Sequence, residues 1–338
     1  MRYRAGVALN RFNWYVSRML RLPDHWVWDS WYAREDDGTW HAFFLRASRA
    51  LLDPERRHHR ASIGHAVSTD LHSWRLLPDA LVPADSPAWD DLATWTGSTL
   101  RGPDGRWYMF YTGVSRADRG LVQRIGLATS DDLVTWHRHG TRPLVETDPT
   151  WYETLASNAW YEQAWRDPWV FPDPSGGGWH MLITARAADG PEATRGVVGH
   201  ATSPDLLHWT VQPPLSTPAG FGHLEVLQMA VVDGQPLLLF CTNPGAVEHR
   251  IWAVPGTTVT GPWDVSGAQP FAHPHLYAPR LVPDGTGGWS LIGFLDRVDG
   301  EFVGALSDPI PVRYHPAAGL RSRTPGGLTL STSDSGTG

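Results

Sequence analysis

The chain has 338 residues, 19 % of them charged, with a formal net charge of −7. That length allows one large or two ordinary domains with a sizeable core, and the acidic balance leaves no basic face for nucleic acid. A single cysteine, Cys241, excludes an internal disulfide framework, and no apolar run reaches the 18 residues of a membrane span; the expectation is a soluble, cytoplasmic protein that binds neither nucleic acid nor membrane.

Residues 1–24 carry arginine at positions 2, 4, 11, 18 and 21 and no unbroken apolar stretch, a pattern unlike a secretory leader. From residue 25 onward two motifs alternate. A Gly-marked turn followed by an apolar strand occurs five times, as DGTWHAFFLRA (37–47), DGRWYMFYTGV (104–114), GGGWHMLITAR (176–186), DGQPLLLFCTN (233–243) and GGWSLIGFLDR (287–297). Asp-Gly between apolar runs is a hairpin signal. The second motif, G-x-A-x-S-x-D-L-x-x-W, appears as GHAVSTDLHSW (64–74), GLATSDDLVTW (126–136) and GHATSPDLLHW (199–209). It reads as a strand, then a turn in which Ser and Asp oxygens take local backbone N–H groups, then a Trp entering the next strand.

Steps of roughly 50 to 70 residues suit propeller blades, while 34 glycines and 28 prolines suit tight turns and few helices. The predicted fold is all-β: a five-bladed β-propeller with a central funnel over residues 25–314. Residues 1–24 form an N-terminal segment placed to close the last blade, and the Gly-, Ser-, Thr- and Pro-rich stretch 315–338 a mobile tail. A Greek-key β-sandwich would leave the shared eleven-position motif unexplained.

In a propeller the first strand of each blade lines the channel, so positions far apart in the chain converge there. Those strands are expected at WDSW in blade one, TWTGS (94–98) in blade two, WRDPWVF (165–171) in blade three, HLEVLQM (223–229) in blade four and LYAPRLV (276–282) in blade five. Acids stand at this level in blades one, three and four: Asp29, Asp167 and Glu225. Carboxylates sharing a funnel repel one another, and burial penalises each charged form. The fold therefore needs compensation, for which Arg166 is placed, or a use. Glycoside cleavage fits as a use, since it takes one ionised carboxylate and one protonated acid flanking the bond. The 19 tryptophans serve core packing and also supply flat faces for sugar rings.

WDSW, WTGS, RDP and the blade-four glutamate, in that order, resemble glycoside hydrolase families 32 and 68, the β-fructosidases, invertases and levansucrases. VWDSW is most similar to the levansucrase family's nucleophile motif, and the S-x-D-L-x-x-W repeats to family 32. The resemblance spans residues 25 to 310. It implies a five-bladed propeller that cleaves β-fructofuranosides with retention, by hydrolysis or fructosyl transfer, on a small carbohydrate substrate and without a cofactor. By the same resemblance Asp29 is the nucleophile, Glu225 the general acid/base and Asp167 the transition-state stabiliser, with Arg166 binding hydroxyls. Trp28, Trp31 and Trp95 would wall the fructosyl pocket, and Ser30 and Thr96 would hydrogen-bond its acids. A retaining pair needs its carboxyls about 5 Å apart, against about 6.5–9.5 Å for an inverting one. An inverting arabinofuranosidase or xylosidase of the family 43 type, or a sugar-binding propeller without catalysis, are the alternatives.

Other features read as structural. Asp70, Asp132 and Asp205 occupy one turn position in three repeats, so they cannot share one active site. The 16 histidines show no H-E-x-x-H or comparable spacing, so no metal is expected. His223, two residues before Glu225, is a candidate for substrate contact. Glycine-rich PDGTGGW and SGGG lack the P-loop Lys and Ser/Thr. Cys241, in an apolar strand, reads as a buried inert thiol. The loops 141–164 and 244–250 are expected at the channel mouth.

Overall fold

The eleven-position motif folds the same way in its three copies. Asp70 accepts from the N–H groups of His72 and Ser73 at 2.8 and 2.6 Å, Asp132 from Val134 and Thr135 at 2.8 and 2.7 Å, and Asp205 from Leu207 and His208 at 2.9 and 2.8 Å. The intervening leucine is driven into the left-handed region, with φ of 62° at Leu71, 60° at Leu133 and 70° at Leu206. That backbone is unfavourable for a residue with a Cβ, and burial of the leucine side chain offsets it. The closing Trp then reaches the preceding blade: Trp136 meets Phe43 and Trp209 meets Phe110 edge-on, each at 5.5 Å between ring centroids. Their Nε1–H groups donate to the carbonyls of Leu133 and Leu206 at 2.9 Å. In blades two and three the motif is thus a clasp onto the preceding blade, while Trp74 of the first copy meets Tyr32 of its own sheet.

Among residues 20–242 and 250–323, which this computed structural model describes, the strands form five antiparallel sheets. The first holds β1 (His25–Arg34), β2 (Trp40–Ser48), β3 (Ser62–Ser68) and β4 (Arg75–Leu81). The second holds β5 (Ala93–Arg101), β6 (Trp107–Val114), β7 (Arg124–Ser130) and β8 (His137–Arg138). The third holds β9 (Trp165–Pro172), β10 (Trp179–Arg186), β11 (Gly196–Ser203) and β12 (Thr210–Gln212). The fourth holds β13 (Glu225–Val232), β14 (Gln235–Cys241), β15 (Ile251–Pro255) and β16 (Gln269–Pro270). Each runs outward in sequence order, as meandering hairpins dictate.

The fifth sheet runs β17 (Leu276–Pro283), β18 (Trp289–Val298), β20 (Ile310–His315) and β21 (Gly319–Ser322), with β19 (Glu301–Leu306) beside the far half of β18. The five-bladed propeller stands. Its pairing continues to Ser322, past residue 314 where composition placed the end. The Gly- and Ser-rich composition hid β21, which Gly319 enters at φ 75°. The expected tail beyond 323 and residues 1–19 lie outside the described residues.

Blades one and five close the ring. The Leu306 N–H donates to the Leu20 carbonyl at 3.0 Å, and the Arg49 guanidinium to the Val303 carbonyl at 2.9 Å. Trp26 meets Phe302 edge-on at 6.3 Å. First strands buried on both faces, from Val27 and Trp28 through Leu227 to Leu281, each contribute about 1.5–3 kcal/mol per large apolar side chain.

Candidate active site

All five first strands slip register against their neighbours at the same level. The slips fall between Trp28 and Ser30, between Trp95 and Gly97, at Asp167–Pro168, between Glu225 and Gln228, and between Tyr277 and Arg280. Each is a β-bulge, a device that re-aims side chains beside functional sites. Four bulge residues have left-handed backbone: Asp29 (φ 34°), Asp167 (57°), Val226 (53°) and Ala278 (44°). Such conformations cost on the order of 1–3 kcal/mol each and persist only where their surroundings enforce them. Two rings result. One contains Trp28, Trp95, Arg166, Glu225 and Tyr277, just before the bulges; the other contains Asp29, Thr96, Asp167, Val226 and Ala278, at them. In strands otherwise buried, Asp29, Trp95, Glu225 and Tyr277 are positions that keep some solvent contact.

The rings are stitched together by charge. Thr96 Oγ1 donates to Asp29 Oδ2 at 2.5 Å. Asp167 Oδ2 accepts from Thr184 Oγ1 at 2.9 Å and from the Val226 N–H at 3.1 Å, and its own N–H donates to Thr112 Oγ1 at 2.9 Å. Arg166 reaches Glu225 Oε1 through Nη2 and Glu162 Oε1 through Nη1, both at 2.8 Å or less, while its Nε lies 3.7 Å from Asp167 Oδ2. The Tyr277 hydroxyl donates to Glu225 Oε2. One guanidinium thus joins carboxylates from blades three and four and from the loop before β9.

Burial, then the charge of Asp167, pushes the Asp29 carboxyl up to about 7, against the opposing Thr96 hydrogen bond. Burial also raises Asp167; Arg166 pulls it back and Glu225 adds to the rise. For Arg166 burial works against the charge, but Glu162, Glu225 and Asp167 outweigh it and hold the guanidinium well above its ordinary value. The site is a negative cup with one cation clamped across it, suited to stabilising positive charge that develops on a bound group.

Asp29, Thr96, Arg166, Asp167 and Glu225 therefore come together. Trp28 and Trp95 flank His58: Trp28 edge-on at 6.2 Å, and Trp95 edge-on at 6.4 Å with Nε1 donating to the His58 carbonyl at 2.7 Å. Trp28 is only 2 % exposed, so its face is spent on packing. Two expectations need correction. Trp31 is wholly buried, stacked on Phe43 at 6.0 Å and bonded to Thr99, and so walls no pocket. Ser30 bonds the Tyr32 hydroxyl at 2.9 Å and not an acid. Both lie past the bulge, where the strand has returned to its regular alternation. His223 is buried against Trp160, with Nε2 3.7 Å from Glu162.

Tyr277, Glu162 and Gln123 join the site without having been singled out; Gln123 Oε1 accepts from Arg166 Nη1 and its Nε2 donates to Glu162, both at 2.8 Å. Tyr277 was discoverable, because it aligns with Arg166 and Glu225 on the five first strands. Glu162 and Gln123 sit in loops that no repeat marks. Among the described residues no group of three His, Cys, Asp or Glu is arranged to hold a metal; the paired histidines bond each other, as His41 does His65 at 2.9 Å. A groove of about 660 Å³ between Leu20–Pro23 and His72–Leu76 contains none of the ring residues. Cys241 is buried beside Glu225 in the β13–β14 register.

The extracellular sucrase of Zymomonas mobilis is 25 % identical over 241 residues, 60 % of this chain and 57 % of that protein. The beta-fructofuranosidase, insoluble isoenzyme CWINV6, of Arabidopsis thaliana is 30 % identical over 192 residues, 56 % of this chain and 32 % of that one. The chain thus spans less than two thirds of the length of either. These relatives overturn the cytoplasmic expectation, which rested on cysteine count and the first residues: they are named as an extracellular sucrase and an insoluble isoenzyme. Among solved structures, an inulosucrase from Halalkalicoccus jeotgali bound to kestose superposes with a TM-score of 0.73 at 24 % identity, covering 91 % of this chain and 89 % of that one. Bacillus subtilis levansucrase gives 0.68 at 16 %, covering 93 % and 90 %; both likenesses establish the fold. With the model of the "Glycosyl hydrolases family 32 N-terminal domain" matching residues 23–299, a span containing ring residues from all five blades, the chain belongs to that family.

Proposed function

We propose that this protein cleaves β-fructofuranosides with retention of configuration, passing the fructosyl group to water or to an acceptor hydroxyl. The observation that carries the reading is the convergence of Asp29, Asp167 and Glu225 at the bulges of blades one, three and four, with Asp167 and Glu225 both facing Arg166 and both acting on Asp29. Family membership and the sucrase and beta-fructofuranosidase names of the relatives support the same substrate class.

In the first step Asp29 Oδ attacks the anomeric carbon of the fructosyl unit. The bond to the leaving oxygen breaks, and Glu225 gives that oxygen its proton. Asp167 faces the positive charge that develops on the ring, while its hydrogen bonds from Thr184 and Val226 keep it from moving. In the second step Glu225 takes a proton from water or an acceptor hydroxyl, the new oxygen bonds to the anomeric carbon, and Asp29 departs as carboxylate. Glu225 enters the first step carrying that proton on a lone pair that the Arg166 and Tyr277 hydrogen bonds leave free, and regains it in the second. Because Asp29 must be ionised and titrates near 7, kcat/KM is expected to fall as pH drops below that value.

Purified protein incubated with sucrose, 1-kestose and a nitrophenyl β-fructofuranoside tests this. Asp29→Asn should lose about 10⁴-fold or more in kcat, and Glu225→Gln about 10²–10⁴-fold, with the first-formed sugar in the β configuration by proton NMR. Turnover that survives Asp29→Asn would remove the nucleophile assignment, and a first product of inverted configuration would remove the retaining reading.

A further inference from the structure

Arg280 is 1 % exposed, two residues past the bulge of β17. Taking a guanidinium out of water costs several kcal/mol unless something in the interior answers it. Its partners here are almost all neutral. Nη1 donates to the carbonyls of Val226 and Leu227 at 3.1 and 2.5 Å, and Nη2 to that of Gly97 at a long 3.4 Å. The guanidinium carbon lies 4.9 Å over the Trp169 ring, and Nε has no partner. No carboxylate oxygen of the described residues lies within ion-pair distance of it, in contrast to Arg166.

These contacts locate the cation. Gly97, Leu227 and Trp169 each follow the bulge residue of their own blade by one or two positions, so the guanidinium lies between blades two, three and four, one step beyond the acid ring. From there it touches the bulges of blades two and four. The groups facing it are Asp29 and Tyr32 of β1, Asp167 of β9 and Cys241 of β14. Glu225 acts on both carboxylates, with Arg57 on Asp29 and Arg166 on Asp167.

We propose that Arg280 is a positioning residue for the carboxylate ring: its guanidinium ties down the blade-four bulge through the Val226 and Leu227 carbonyls and supplies, from the far side of the ring, the positive charge that lets Asp29 and Asp167 be anionic side by side. The strap matters because the Val226 N–H is a donor to Asp167 and Glu225 is the residue before it. The charge matters because Arg166 is already shared among Glu162, Glu225 and Asp167. Burial weakens the Arg280 charge, bringing its pKa to about 10, which still leaves it a cation at any pH where the enzyme would act. This role rests on the retaining reading only for its consequence to turnover.

The test reads the carboxyls directly, without substrate. Full-length protein carrying ¹³C-labelled aspartate carboxyls is titrated by NMR, with Asp29→Asn and Asp167→Asn used for assignment. In Arg280→Gln the midpoints of Asp29 and Asp167 should rise by about one unit or more. In Arg280→Lys, which keeps the charge and loses the fork, they should stay close to wild type. Midpoints unmoved in folded Arg280→Gln, or moved equally by Lys and Gln, would overturn the proposal. If Arg280→Gln does not fold, Arg280→Met is titrated in its place: midpoints raised as predicted for Gln support the role, and unmoved ones refute it. A wild type that turns over no β-fructofuranoside would strike the proposed reaction and leave the titration result standing.

Discussion

Asp29 is held where a carboxylate is least comfortable: left-handed backbone, restricted solvent and a second acid beside it. Its raised pKa fixes the sign of its effect on stability. Between the unfolded value of 3.8 and about 7 the folded protein binds a proton that the unfolded chain does not; the stability Asp29 contributes is full below the lower value and lost as pH rises through the upper one. Asp29→Asn should therefore stabilise the protein at pH 8, by about 1–3 kcal/mol, and much less at pH 5, while abolishing turnover. Thermal denaturation at the two pH values checks this, and a lower Tm for the variant at pH 8 would contradict it. Asp29, Asp167 and Glu225 were legible in the sequence because each is an acid in the first strand of its blade. Glu162 was not, because its approach to Arg166 depends on how the 148–164 loop folds back, and nothing local encodes that.

At the scale of the element, the bulge sets which side chains enter the funnel. Strict alternation along HWVWDSW would group Asp29 with Trp31, in keeping with the family resemblance, which places Trp31 at the pocket wall and Ser30 beside the acids. The extra residue breaks that parity, so Asp29 faces the ring while Trp31 packs on Phe43. No residue type marks the bulge, since it is occupied by Asp, Thr, Asp, Val and Ala in the five blades. Blade two shows how little slack it has: a Cβ on Gly97 would lie 2.1 Å from the Phe110 carbonyl oxygen. Backbone cannot yield as a flexible side chain would, so Gly97→Ala should cost about 2 kcal/mol or more and pull Thr96 away from Asp29. Urea denaturation together with kcat/KM reads both effects. A variant of wild-type stability would mean that the β5–β6 register is softer than this contact implies.

Across the whole molecule, blades one and three repeat a histidine pair, His41 with His65 buried and His180 with His200 part-buried, each at 2.9 Å between ring nitrogens. Burial, then the partner histidine, brings His65 down to about 3 and His200 down to about 4. Both are neutral in the fold and take up a proton on unfolding below pH 6.5, so stability falls with falling pH from there toward those values. Each contributes a slope approaching about 1.4 kcal/mol per pH unit. Asp29 works in the opposite sense over part of this range, so the informative quantity is a difference between proteins. His65→Gln combined with His200→Gln should flatten the loss of stability between pH 6.5 and 4.5, measured by urea titration. An unchanged slope would show that the pairs do not carry it.

The repeats determined the architecture. A turn copied three times and a hairpin copied five times are local patterns, and each needs only its own turn chemistry and one buried apolar face to declare itself. Recognition of the acid trio followed, because first strands of consecutive blades must converge. What the tertiary structure alone decided is which way each side chain points at the convergence and what neutralises it. The Tyr277 and Arg166 bonds to Glu225 and the Arg280 bonds to Val226 and Gly97 join residues 52 to 183 positions apart. Such contacts arise from the packing of five sheets around one axis, and no stretch of chain contains the information to place them singly.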